Sequence, residues 1–153
     1  MAKIKPLKAS PYVKGFNNRE VAVLSGIVEE RELAPGAAIA EENVESEGLV
    51  IVAKGSLTLR TVLPDGKAVE VLTLDQGKSF GELSLVGEGP RLVSAHAGPQ
   101  GARVLVIQRA EFEKLLKSDP KVAAKFLQGI LREVGAVARA GAAQIKKILA
   151  QAK

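Results

Sequence analysis

The run Phe80-Gly-Glu-Leu-Ser-Leu-Val-Gly-Glu-Gly-Pro-Arg-Leu-Val-Ser-Ala95 places a glycine-started helical turn, one carboxylate and one arginine within about a dozen residues. Those types make a workable pocket for a phosphate that carries a sugar hydroxyl. The first turn of a helix aims N–H groups and a favourable dipole at an anion. Gly81 lets the backbone come close, and the N–H groups of Leu83 and Ser84 are expected to face the anion. Arg91 offers a planar fork to two phosphate oxygens. Glu82 supplies an acceptor for a sugar hydroxyl and could also orient a cationic partner. Taken singly, each signal is ordinary: a Gly-Glu pair is usually a turn, and a Pro-Arg pair usually solvated surface. Only the combination is informative.

Such a set must be positioned by a scaffold. Asn18–Ile27 reads as a short helix, with Asn18 as its cap, Glu20 in the first turn and Gly26 near its end. From Val28 to Gln108, short runs rich in β-branched residues alternate with turn signals, as in an antiparallel sandwich or roll. Pro35-Gly36, Gly48, Gly55, Pro64-Asp-Gly66, Gln76-Gly77, Gly87 to Pro90 and Gly98-Pro99 are read as the breaks. Ser56–Leu63 and Ala68–Leu74 alternate around Pro64-Asp-Gly66, which predicts a hairpin. Gly48–Ala53 is uniformly apolar and suits a buried strand.

Helix formers dominate from Arg109 onward. Ala110–Ser118 fits one helix, and Asp119-Pro120 opens the next, with Asp as cap and Pro at the first helical position. A continuous helix from Lys121 would run roughly 45–50 Å, past a roll only about 35 Å across. Phe126, Ile130, Val134, Val137, Gly141, Ile145 and Ile148 recur at spacings of three and four. A stripe that outruns its domain calls for a partner, most simply a second copy. Gly129, Gly135 and Gly141 each weaken the helix by about 1 kcal/mol relative to Ala. An end at Gly141 and an end near the terminus are both compatible with the pattern. The expected divisions are a basic leading segment over 1–17, the roll with short flanking helices over 18–118, and a long helix over 119–153.

Composition narrows the function classes. The chain has 153 residues, enough for one core, with 46% apolar residues but only four Phe and one Tyr. No Cys is present, which removes disulfides, thiolate metal sites and cysteine nucleophiles. The single His96 cannot assemble a multi-histidine metal centre. No phosphate-binding Gly-x-x-x-x-Gly-Lys-Ser loop and no dinucleotide fingerprint occurs. The chain is therefore expected not to be an enzyme and to need no cofactor. No stretch of about 18 apolar residues suggests a membrane span, and Met1–Lys8 lacks the apolar centre of a secretory signal. A cytoplasmic protein without membrane contact is expected. The net charge of +5 is uneven, with an acidic middle and two basic ends. The basic tail lacks aromatic stacking residues, so single-strand nucleic-acid binding is not expected.

The Phe80–Ala95 run closely resembles the phosphate-binding cassette of the cyclic-nucleotide-binding domain family. Catabolite activator protein, regulatory subunits of cyclic-AMP-dependent protein kinase and cyclic-nucleotide-gated channels carry that sensor domain. The order of the chain resembles the family too: a leading helix, a strand pair ending at Gly55, a second glycine landmark in Asp75–Gly81, the cassette, then two helices. The resemblance implies a mainly β fold, an antiparallel jelly-roll-like β-roll (a double-stranded β-helix) with a short N-terminal helix and C-terminal helices.

It further implies that Glu82 takes the ribose role and Arg91 the phosphate role. Gly81, Ser84 and the Leu92 backbone take the remaining polar contacts. The candidate ligand-binding set is Phe80, Gly81, Glu82, Leu83, Ser84, Arg91, Leu92 and Val93. Three departures stand out. Leu92 replaces a small or hydroxylated residue and is expected to crowd the pocket. Val137 and Ala138 fall where some relatives bond adenine through a hydroxyl, and only Arg139 nearby offers a donor. Glu41–Glu47 brings four glutamates to a stretch that commonly contains glycine.

The implied function is a cyclic-nucleotide sensor, for cyclic AMP, whose ligand shifts the C-terminal helices. The implied partners are a second copy through the long helix and an unidentified effector protein. No helix-turn-helix segment follows the helix, so specific DNA binding is not expected. The other reading is a module that keeps the fold as an interaction surface and binds no ligand, or a different anionic one.

Overall fold

The computed structural model describes residues 3–46, 48–87 and 89–152. Glu47 of the acidic stretch and Glu88 of the cassette lie outside the described residues. The chain opens with α1 (Ile4–Ala9), a 3-10 turn (Pro11–Val13) and α2 (Asn18–Ser25). The strands are β1 (Val28–Leu33), β2 (Ala38–Ala40), β3 (Gly48–Val62), β4 (Ala68–Leu74), β5 (Ser79–Phe80) and β6 (Ser94–Gln108). A second 3-10 turn, Glu82–Leu85, sits between β5 and β6. The helices α3 (Arg109–Ser118) and α4 (Pro120–Gln151) follow.

Among the described residues the strands form one antiparallel six-stranded sheet in the order β1-β6-β3-β4, with β2 on β6 and β5 on β3. This is the expected β-roll with flanking helices. The hairpin forms as predicted: Val62 pairs with Ala68, and the Leu63 N–H donates to the Lys67 carbonyl at 2.9 Å.

Two of the breaks read from sequence are bends within single strands. β3 runs through Gly55, and β6 runs through Gly98-Pro99. Gly55 pairs with Ala102 and Leu57 with Ala97, so residues 98–101 of β6 bulge out opposite Ser56. Proline cannot donate to a ladder, and inside this bulge Pro99 is asked for no donor. The bulges curl the long strands without interrupting them.

One cap also differs from expectation. Asn17, not Asn18, caps α2: its side chain accepts from the Glu20 N–H at 2.9 Å, while the Asn17 N–H donates to the Glu20 carboxylate at 2.8 Å. The position of Glu20, three residues on, selects Asn17 through this reciprocal pair.

Alternation along β3 and β6 builds two cores. Leu49, Ile51, Ala53, Leu105 and Ile107 face the helices, with Leu7, Leu24, Phe112 and Phe126. Val50, Val52, Val104 and Val106 face the inside of the roll, with Leu57, Leu74 and Phe80. Both faces of Gly48–Ala53 are thus covered, which is why that stretch is uniformly apolar.

The leading segment is part of this structure. Leu7, Tyr12 and Val13 are buried in the helix-facing core. At the other end, α4 is continuous for 32 residues through Gly135 and Gly141, about 48 Å. Its first third is core, through Val122, Ala123, Phe126 and Ile130. Residue 119 therefore begins a helix without bounding the core. Lys125 Nζ fastens this part of α4 to α2, donating to Glu20 at 2.7 Å and lying 5.2 Å from the Phe16 ring centre. Beyond Ile130 the helix is largely bare: Val137 is 73% and Leu149 61% exposed.

Candidate functional site

β5 ends at Phe80, and the next residue turns the chain. Gly81 has φ of 85°, a left-handed conformation that strains any residue with a Cβ. A Cβ there would also lie 2.4 Å from Arg91 Nη1 and 2.5 Å from the Gly48 carbonyl oxygen. Glycine is thus required by dihedral and by space. It starts the 3-10 turn Glu82–Leu85, anchored by the buried Leu85.

Arg91 enters the same place from the other side. Its backbone is braced by the stretch before β3: the Arg91 N–H donates to the Val44 carbonyl at 2.8 Å, and the Asn43 N–H donates to the Arg91 carbonyl at 2.8 Å. The side chain is 9% exposed; Nη2 donates to the Gly48 carbonyl at 3.0 Å, and the guanidinium lies 4.9 Å from the Phe80 ring centre. Burial, a carbonyl and an aromatic face hold the cation in one pose beside the Gly81 turn.

All eight residues singled out from sequence line one cavity of about 320 Å³: Phe80, Gly81, Glu82, Leu83, Ser84, Arg91, Leu92 and Val93. Within it, two expectations are corrected. The Ser84 N–H does not face an anion, because it donates to the Gly81 carbonyl at 3.1 Å to close the turn. Leu83 N–H has no protein acceptor among the described residues. The Ser84 hydroxyl accepts from the Ser46 hydroxyl. Leu92 does not crowd the cavity: at 83% exposure it stands at the rim.

Two glutamates of the acidic stretch are engaged by the scaffold, while Glu41 and Glu45 line a separate cavity with Arg91. Glu42 accepts from Thr61 Oγ1 at 2.8 Å and from the Val62 N–H at 3.0 Å, and Glu45 lies 3.5 Å from Arg109 Nη2. Neither lines the cavity at the Gly81 turn. His96 pairs across the sheet with Thr58 and Ala38 and is likewise not in the lining.

Glu82 joins this cavity to a larger one. A second space, about 670 Å³, is bounded by β4 and the β4–β5 connection on one side and by Glu133, Val134 and Val137 of α4 on the other. Phe80, Glu82 and Leu83 line both. Val137 thus lies where the sequence placed a lid position, whereas Ala138 and Arg139 are outside the lining.

Several contributors were not singled out from sequence. Tyr12 Oη donates to Glu82 Oε1 at 2.7 Å, and Ser79 Oγ lies 2.6 Å from Tyr12 Oη. Burial, above all, pushes the Tyr12 hydroxyl pKa up. Arg109 Nη1 donates to the Gly87 carbonyl at 2.8 Å, stapling the cassette to the start of α3. Glu133 is the one carboxylate that α4 contributes to the larger space. A lone Tyr in an aromatic-poor chain, next to a Ser-Pro turn, was the available signal for Tyr12.

A buried arginine, a glycine-led turn and a carboxylate thus surround one cavity, and the carboxylate also borders the space beside α4. Residues 30–119 match the family described as the cyclic nucleotide-binding domain. This chain belongs to that family.

The chain is 30% identical over 117 residues to the cyclic AMP receptor protein of Thermus thermophilus, covering 76% of this chain and 54% of that one. It is 27% identical over 110 residues to the cAMP-dependent protein kinase type II regulatory subunit of Drosophila melanogaster, covering 72% and 29%. The chain thus spans about half or less of the length of these relatives. A crystal structure of a cyclic nucleotide-binding domain from Methylobacillus flagellatus superposes with a TM-score of 0.84 at 20% identity, covering 95% of this chain and 83% of that one; it shows the shared fold. Members of the cyclic nucleotide-binding family are regulatory sensor domains.

Proposed function

We propose that this chain is a cyclic-nucleotide sensor with cyclic AMP as its ligand. The observation that carries the reading is the pair of joined cavities meeting at Glu82. The smaller one offers the Arg91 fork and the 3-10 turn to a cyclic phosphate. Glu82, at the junction, accepts from the ribose 2′-hydroxyl. The larger one takes the base between the apolar β4 side and Val134 and Val137 of α4, where Glu133 accepts from the exocyclic amine of adenine. The similarity to the cyclic AMP receptor protein of Thermus thermophilus supports cyclic AMP.

In this reading ligand draws α4 against the base, and the changed position of α4 is the output to an effector protein. The bare stripe of α4 pairs with a second copy of the chain. Titration calorimetry with cyclic AMP, cyclic GMP and 5′-AMP tests the assignment, and micromolar or tighter binding of cyclic AMP alone is expected. Arg91→Ala is expected to lose about ten- to hundredfold in affinity, for the removal of about 1.5–3 kcal/mol of charge-assisted hydrogen bonding. Unchanged affinity in that variant removes Arg91 from the site. No heat from any of the three in the wild type rejects the sensor.

A further inference from the structure

Tyr12 reaches the cassette from seventy residues away in sequence. It is 2% exposed and fixed from several sides. Its N–H donates to Ser10 Oγ at 3.3 Å, and its ring meets Phe126 of α4 edge-on at 6.0 Å between centres. Its carbonyl is so close to α4 that a Cβ at Gly129 would lie 2.3 Å from the oxygen. From that fixed base the hydroxyl meets Glu82.

The protons in this group can be counted. A carboxylate only accepts, and each hydroxyl has one hydrogen to give. Tyr12 gives its hydrogen to Glu82 Oε1 at 2.7 Å, so Ser79 Oγ, 2.6 Å from Tyr12 Oη, gives its own to Tyr12. The Ser79–Glu82 distance of 3.4 Å is the longest of the three. Oε1 is thereby taken, whereas Oε2 has no protein partner among the described residues. The carboxylate has one oxygen tied to the scaffold and one left as an acceptor at the junction of the two cavities.

We infer that Tyr12 is a positioning residue that fixes Glu82 for a ligand hydroxyl and thereby sets how much the ribose 2′-hydroxyl counts in recognition. The inference rests on the sensor reading and deepens it. A tethered carboxylate has already lost the rotamer freedom that binding would otherwise remove, so less of its hydrogen bond to the ligand is offset by ordering. Burial keeps the Tyr12 hydroxyl protonated at neutral pH, so the tether does not titrate away.

The test is Tyr12→Phe, which deletes one oxygen and keeps the ring against Phe126. Titration calorimetry compares cyclic AMP with 2′-deoxy cyclic AMP on both proteins. The wild type is expected to prefer cyclic AMP by about tenfold or more, from a hydrogen bond to a charged acceptor. In Tyr12→Phe the preference is expected to shrink by about three- to tenfold, with the 2′-deoxy ligand bound as before. Ser79→Ala, which removes the donor to Tyr12, is expected to act in the same direction and less strongly; it carries the test alone if Tyr12→Phe fails to fold.

An equal loss for both ligands assigns Tyr12 a merely structural role and overturns the inference. An unchanged ratio overturns it, and so does tighter binding, which would make Tyr12 a competitor for Glu82. Each of these outcomes leaves the sensor reading intact. A wild type that binds neither ligand rejects the sensor reading and this inference with it.

Discussion

The two ends of the chain are both basic, both helical and both dotted with aliphatic residues, yet they meet opposite fates. Leu7 in α1 is 0% exposed, whereas Ile145 and Ile148 near the end of α4 are 59% and 55% exposed. The difference is reach. α1 and the Pro11–Val13 turn are short and double back onto the sheet, where α2 and the start of α4 complete their burial. α4 runs unbroken for 32 residues, and its periodic apolar face leaves the core after Ile130. An amphipathic pattern states that a face needs covering; geometry decides whether the chain can cover it.

The largest expected effect tests that contrast directly. Leu7→Ala removes a fully buried side chain and is expected to cost about 2–5 kcal/mol. Ile148→Ala at the other end should stay within about 0.5 kcal/mol when the protein is dilute. Chemical denaturation of the two variants measures both; equal losses would erase the contrast. Replacing Ile145 and Ile148 together by Ser sharpens it further: light scattering is expected to drop from the dimer mass to 16.1 kDa without a loss of helix. A wild type that already runs at 16.1 kDa rejects the pairing of α4 with a second copy.

A smaller and oppositely signed pair lies within α4. Gly129→Ala drives a Cβ to 2.3 Å from the Tyr12 carbonyl, and overpacking of this kind costs about 1–3 kcal/mol. Gly141→Ala meets nothing within 4 Å in its own chain and, with the protein dilute enough to be monomeric, should gain about 1 kcal/mol from helix propensity. Thermal denaturation reads both signs. A loss at Gly141 would mean that something already covers this part of the helix.

What the sequence could convey follows the range of the interactions involved. The Asp119 cap, the Pro64–Gly66 turn and the glycine at 81 rest on residues close together, and all three stand in the structure. The candidate set could be gathered as one lining because Phe80–Val93 is itself one short stretch. Where legibility fails, the partner is distant. Arg91 is braced by Asn43, Val44 and Gly48, and Glu82 by Tyr12; no local pattern announces such pairings. Glycine and proline mislead for a related reason. Gly98-Pro99 has the composition of a turn, but β3 lies opposite, and its ladder resumes on either side of the bulge. Glu20 redirected the α2 cap to Asn17 because a reciprocal pair outweighs a single side chain.

Arg109 ties the Gly87 carbonyl to the first residue of α3, and α4 follows α3 directly. From Ile130, where α4 leaves the core, to Gln151 the helix extends a further thirty-odd ångströms, about 1.5 Å for each residue. In the proposed sensor that arm acts as a pointer with its pivot beside the cavities. A tilt of about 10° at the pivot, too small to break the packing around Phe126, sweeps the tip through about 5 Å. Mechanical gain of this kind turns a displacement the size of one hydrogen bond into one the size of a whole side chain.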